Sequence, residues 1–293
     1  MDLTQVSTFC FTASYTVALS LETLSLVRRF GWHRLVLLAF AIAGVFAHGA
    51  YLTIQSWETT APLSSPADWC LVASLALASL YLAASFWWPK WATGLFLLPL
   101  VLGLIAAASF ASEEPLGVQR SSALWARTHA VLLILGTVTV CIGFLAGLMY
   151  LIQSWRLKHK LPPSKTFRLP SLEWLERINA RSLGVSALLV GGGFVSGLVL
   201  TRLNHANENY SLWTDPVVIS LAVMFAWLVV AELFRAVYPA ARGGRKVAYL
   251  TMAAFVFLVI TIASMSMNAG RIHGGKTMAP PAPAIYLANT QNL

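Results

Sequence analysis

The hydrophobic positions of this chain fall in long runs with little polar interruption, separated by short clusters of charge, proline and glycine. Eight runs near 20 residues stand out: about 6–27, 34–55, 69–88, 92–112, 128–154, 182–202, 216–237 and 247–267. A run of that length crosses the hydrocarbon core of a bilayer as a helix. Helices of a soluble core are shorter and keep a polar face, whereas these are apolar on most faces. The pattern predicts an all-α integral membrane protein, a bundle of about eight transmembrane helices forming one polytopic domain over 1–293. No basic residue precedes the first run, as the n-region of a cleaved signal peptide would require, so the first run is expected to be a permanent span.

The connections give the bundle a direction. Fifteen of the 20 Lys and Arg fall on one side, in the connections at 28–34, 90, 156–181 and 235–246. The other five, Arg120, Arg127, Arg202, Arg271 and Lys276, fall on the opposite side. Basic loops stay cytoplasmic, so both termini and the loop 203–215 are expected outside. The predicted location is the plasma (inner) membrane, multi-pass, with a 274–293 outer tail. The 156–181 connection reads as a basic cytoplasmic loop. Within it, Ser171 is placed to cap a short amphipathic helix carrying Leu172, Trp174, Leu175 and Ile178. Trp57, Trp69, Trp87, Trp88 and Trp91 stand at the expected bilayer interfaces as belt residues. Glu22, near the inner end of the first span, is expected to snorkel or pair with Arg28 or Arg29. Gly193 and Gly197 form a small-xxx-small pair suited to close helix packing, or to leaving room for a bulky ligand edge.

Composition narrows the function. The chain is 58% hydrophobic and 11% charged, against roughly 25% charged in a soluble domain. The net charge of +9 therefore reports membrane topology, and no nucleic-acid partner is implied. Cys10, Cys70 and Cys141 lie far apart with no CxxC or CxxCH, which argues against a structural zinc site and against c-type covalent haem attachment to this chain. No GxSxG or HExxH is present, so there is no independent catalytic motif. A solute transporter would want broken helices or charge near the midplane, and neither is evident.

The histidines sort by side. His33 and His159 fall in basic inner connections. His48, His129, His205 and His273 all lie at or near the outer face, His129 at the opening of the fifth helix and His48 about two turns below the outer end of the second. Zinc or copper would want Cys and acidic partners, which are scarce nearby. Haem iron takes axial imidazole, and its propionates want cations; Arg127 and Arg271 stand close to His129 and His273 in sequence.

In order along the chain, the landmarks are His48 followed by Pro66 and a Leu-rich helix, then His129 opening a helix that ends Gly147-Leu-Met-Tyr150-Leu-Ile-Gln153. Leu169-Pro-Ser-Leu-Glu173, the Gly197 helix, Trp213-Thr-Asp215-Pro216, Trp227 and the terminal His273 follow. From about residue 37 to 275 this order resembles the cytochrome c assembly protein family, haem-handling membrane proteins with a tryptophan-rich WWD outer segment (the CcsA/HemX-like branch). The resemblance implies non-covalent haem b at the outer face, with His129 and His273 as axial ligands and Trp213 and Asp215 in a haem platform. His48 is a further candidate ligand, and His205 lies close to the platform. It also implies transfer of haem towards apocytochrome c with a second cytochrome c biogenesis membrane protein, at most as a subunit of a haem lyase complex. The platform here keeps one Trp, one Asp and a Pro, and Arg235 stands where synthase-type members carry a His eight residues after Trp227. The alternative is a HemX-like membrane regulator of haem biosynthesis.

Overall fold

The computed structural model describes residues 8–27, 32–58, 65–111, 123–162, 167–204, 215–238 and 244–273. They form eight helices: α1 (Thr8–Val27), α2 (His33–Glu58), α3 (Pro66–Trp87), α4 (Gly94–Phe110), α5 (Ala123–Lys158), α6 (Leu172–Asn204), α7 (Pro216–Val237) and α8 (Arg245–His273). No strand occurs among the described residues. The protein is an all-α membrane bundle.

Seven helices are long and apolar enough to cross a membrane; α4 is apolar but shorter. Its 17 residues rise about 25 Å, short of the roughly 30 Å hydrocarbon core. Two contacts show that the chain nevertheless changes ends there. Trp69, at the start of α3, meets His129, near the start of α5. Trp88, just past the end of α3, meets Trp174, in the helix that follows α5. Helices α3 and α5 thus run parallel, so the chain changes ends between them, over the stretch that holds α4.

Local chemistry sets the helix ends. Ser65 and Asp68 form a reciprocal capping box at α3, with Pro66 in the first turn. At α7, Asp215 accepts from the Val217 amide (2.8 Å), with Pro216 at the first helical position. Past the end of α5, Lys160 stands at φ 51°; Lys160 N donates to Leu157 O (3.0 Å) and Leu161 N to Arg156 O (3.1 Å). That is a Schellman closure with lysine in the place glycine usually takes.

The helices assemble as two four-helix halves that share four pairings, the second adding a contact of α6 on α8. In the first, α1 packs on α2 and α4, and α3 on α2 and α4; in the second, α5 packs on α6 and α8, and α7 on α6 and α8. The halves join where α3 meets α5 and α8. Lipid tails are as apolar as leucine, so close packing and interhelical hydrogen bonds hold such a bundle. Phe144 stacks on Phe255 at 4.0 Å between α5 and α8. Asn179, fully buried, ties three helices. In the amide orientation its neighbours demand, it donates to Thr251 Oγ1 (2.8 Å) and Gly143 O (3.1 Å) and accepts from Ala248 N (3.1 Å).

Two expectations change. The amphipathic helix of the 156–181 connection is not a separate element: Ser171 does accept from Trp174 N (3.3 Å), but the helix runs without a break to Asn204. No Pro or Gly interrupts 172–183, and burial of Leu175, Asn179 and Leu183 draws this stretch into the bundle. The tryptophans also divide. Trp57 and Trp87 are largely exposed, as belt residues are. Trp88, Trp91 and Trp174 form an aromatic cluster, with Trp88 and Trp91 stacked at 4.9 Å and Trp174 edge-on to both. Arg28 and Arg29 lie outside the described residues; Glu22 accepts from the Tyr81 hydroxyl (3.2 Å).

Candidate functional site

The end of the bundle opposite the basic connections carries the starts of α3, α5 and α7 and the ends of α2, α6 and α8. Helix α5 begins at Ala123, so His129 stands well inside it rather than at its opening. A notch in α6 receives the imidazole. A Cβ on Gly197 would lie 2.7 Å from His129 Cε1 and 3.0 Å from Nδ1, and one on Gly193 would collide with Leu133. The small-xxx-small pair therefore serves close packing of α5 on α6, and one of the groups it admits is the histidine itself.

The notch also orients the ring. His129 Nδ1 lies 2.8 Å from the Gly193 carbonyl. A carbonyl only accepts, so Nδ1 carries the proton and the neutral ring presents its lone pair at Nε2. Ser196 braces the same carbonyl, its hydroxyl donating to Gly193 O at 2.8 Å while lying 3.4 Å from Nδ1. Trp69 flanks the imidazole at 6.2 Å between centroids, tilted by 58°. Among the described residues nothing bonds Nε2, and the ring is only half-buried. A ligating histidine characteristically gives its other N–H to a backbone carbonyl, which fixes tautomer and direction.

His48 sits differently. It is fully buried in the contact between α1 and α2, stacked on Phe11 at 4.1 Å and 2°, with Nδ1 3.4 Å from the Tyr15 hydroxyl. Its Nε2 is buried without a partner among the described residues. Phe11 covers one face of the ring, and no ring contact or hydrogen bond joins it to His129. Asp215 is engaged as the α7 cap described above. Arg127 and Arg202 are exposed near the same end. His273 and Arg271 close α8; their side chains, and His205 and Trp213 entirely, lie outside the described residues.

Among the described residues no group of three or more His, Cys, Asp or Glu is placed to hold a metal ion. A zinc site would draw three or four ligands from the chain. Haem brings four nitrogens of its own and asks the protein for one or two axial ligands. The donor set at His129 fits the second requirement. Sequence reasoning singled out His129 but not its positioning partners, Gly193 O and Ser196, or the neighbour Trp69. The signal was legible: Ser196 stands three residues after Gly193 in a helix otherwise rich in glycine.

Comparison with known proteins places the chain beside one relative. It is 26% identical over 239 residues, 78% of this chain and 81% of the other, to the "Uncharacterized 28.8 kDa protein in nifR3-like 5'region" of Azospirillum brasilense. No protein-family model matches the chain. No solved structure matches it significantly.

Proposed function

We propose that the protein handles haem b non-covalently at the end of the bundle opposite its basic connections, in c-type cytochrome biogenesis. The observation that carries this reading is His129: its Nδ1–H is given to a backbone carbonyl, and its Nε2 is left to a ligand beside an indole. In this reading Nε2 of His129 and the imidazole of His273 would hold the iron. Arg127 and Arg271 supply cations for the propionates, and Trp213 and Asp215 belong to the platform. Haem bound there serves as cargo, passed towards apocytochrome c with a second membrane protein. The positive-inside rule puts this end on the periplasmic or extracytoplasmic side.

The test is a reduced-minus-oxidised absorption spectrum of the detergent-purified protein from haem-replete cells, beside His129→Ala and His273→Ala. A bis-imidazole spectrum in the wild type, weakened in each single variant and lost in the double, is expected. A wild-type spectrum unchanged in both variants refutes the ligand assignment. A wild type without haem refutes the function. In that event, altered glutamyl-tRNA reductase levels on gene deletion would mark the regulator of haem synthesis instead.

A further inference from the structure

The Gly193 carbonyl that orients His129 serves more donors than its oxygen has lone pairs. It lies in the interior of α6, where the amide four residues on, that of Gly197, is its partner in the helix ladder. The His129 Nδ1–H reaches it at 2.8 Å, and the Ser196 hydroxyl donates to it at 2.8 Å as well. Gly193 and Ser196 are both buried. Other hydroxyls of α6 also return to a carbonyl one turn back, as Ser186 does to Leu183 O (2.8 Å) and Thr201 to Gly197 O (2.9 Å), which satisfies the hydroxyl within its own helix. Ser196 differs in the carbonyl it uses, which is the one holding an imidazole, and in lying 3.4 Å from Nδ1 itself.

The hydrogen bond at Nδ1 governs what the opposite nitrogen can do. The more completely the Nδ1 proton is drawn to its acceptor, the more negative charge the ring carries, and the stronger a donor to a metal Nε2 becomes. A carbonyl engaged by a second donor has less charge left for the first. Ser196 is thus placed to act on Nε2 through Gly193 O, from a position in α6 behind the ring.

We propose that Ser196 is a positioning residue that weakens His129 as an iron ligand, holding it at a strength suited to a cargo that is taken up and passed on. The ligand role rests on the haem reading above; the sharing of Gly193 O between Ser196 and His129 does not. Removing the hydroxyl leaves Gly193 O to His129, tightens the Nδ1 hydrogen bond and makes Nε2 the stronger donor. A stronger imidazole donor favours ferric over ferrous iron and slows release.

The experiment compares the full-length detergent-purified wild type with S196A, S196T and S196V. Threonine and valine are of similar size, so any strain at this buried position is common to both and their difference isolates the hydroxyl. Threonine can also make the same bond back along the helix. The first measurement needs no haem: proton NMR of [15N]histidine-labelled, haem-depleted protein, with the Nδ1–H resonance of His129 identified by its loss in H129Q. That resonance is expected downfield in S196A relative to the wild type, and in S196V relative to S196T. The second measurement uses haem-loaded protein, by potentiometric titration and by the rate of haem transfer to apomyoglobin. S196V is expected to release haem about tenfold more slowly than S196T, the low end of outer-shell effects on metal sites. Its midpoint potential should be lower by about 59 mV, the one-electron equivalent of a tenfold preference for ferric iron. A resonance that stays in place between S196T and S196V, or moves upfield, overturns the proposal whether or not the protein binds haem. A resonance that moves as expected, with equal potentials and release rates, overturns the step from hydrogen bond to ligand strength. A wild type that takes up no haem refutes the haem reading itself, and with it the ligand role given to Ser196.

Discussion

Replacing Gly197 by alanine probes the His129 notch without touching the histidine. The new methyl would lie 2.7 Å from Cε1 and 3.0 Å from Nδ1, closer than real Cβ contacts allow, and a rigid ring cannot fold away as a lysine tip would. Either α6 moves off α5 or the imidazole leaves the Gly193 carbonyl. Overpacking of this kind costs about 1–3 kcal/mol. The alanine also brings a helix-propensity gain of up to ~1 kcal/mol over glycine, which would mask part of the loss. Gly103→Ala supplies the correction, because nothing lies within 4 Å of a Cβ there, so that variant carries the propensity gain alone. The expected result is that Gly197→Ala is less stable than Gly103→Ala by about 1–3 kcal/mol, read as a difference in detergent thermal or denaturant unfolding. In the haem-replete preparation, Gly197→Ala should also lose spectral amplitude relative to Gly103→Ala. Equal stability of the two variants refutes the packing argument. Loss of stability with an unchanged haem spectrum refutes the step from ring position to ligation.

Other predictions follow from the same geometry. Asn179→Leu should destabilise the bundle by about 1–3 kcal/mol, because the Gly143 carbonyl and Ala248 amide lose a buried partner; a double-mutant cycle with Thr251→Val should then show a coupling of about 0.6–1.7 kcal/mol. Lys160→Gly should stabilise the end of α5 by about 1 kcal/mol, since glycine carries no penalty at φ 51°, and a slower local hydrogen exchange at 157–161 would register it. In a background with Cys10, Cys70 and Cys141 replaced by serine, Arg127→Cys should react with a membrane-impermeant maleimide on intact cells. Lys158→Cys should react only after permeabilisation, and the reverse labelling pattern would invert the topology.

Most of the bundle was legible because hydropathy runs and caps act locally. The Asp215–Pro216 start is written beside its helix end, and α7 begins there as expected; the Ser65–Asp68 box, equally local, went unread, and α3 begins three residues before the expected 69. What escaped was decided by partners distant in sequence. Nothing near 172–183 says whether that stretch lies on the membrane or joins the bundle; Asn179 answers through Gly143, Ala248 and Thr251, 36 to 72 positions away. The tryptophans at 88, 91 and 174 look alike as interfacial residues until the turn after α3 is brought against the start of α6. For the site, the sequence placed His48 deeper than His129 but could not say what covers either ring. The packing supplies that, by laying Phe11 flat on His48 and leaving His129 at a glycine notch.

That separation has a structural reason in the way the two halves meet. His48 lies within the first half, at a contact between α1 and α2, where both neighbours can close over it. His129 lies at the seam, with α6 of its own half on one side and Trp69 of the other half on the other. A ring inside one four-helix unit is sealed by the same contacts that stabilise the unit, and opening it would cost that unit its core. A ring at the seam is anchored by one half through the Gly193 carbonyl and, among the described residues, flanked by the other through the Trp69 indole. Exposure of its Nε2 can therefore change with the fit of α3 against α5 while both halves keep their internal packing. A site that must take up a large flat ligand and release it again is better served by the second arrangement. That is why the haem assignment rests on His129 and assigns no ligand role to His48.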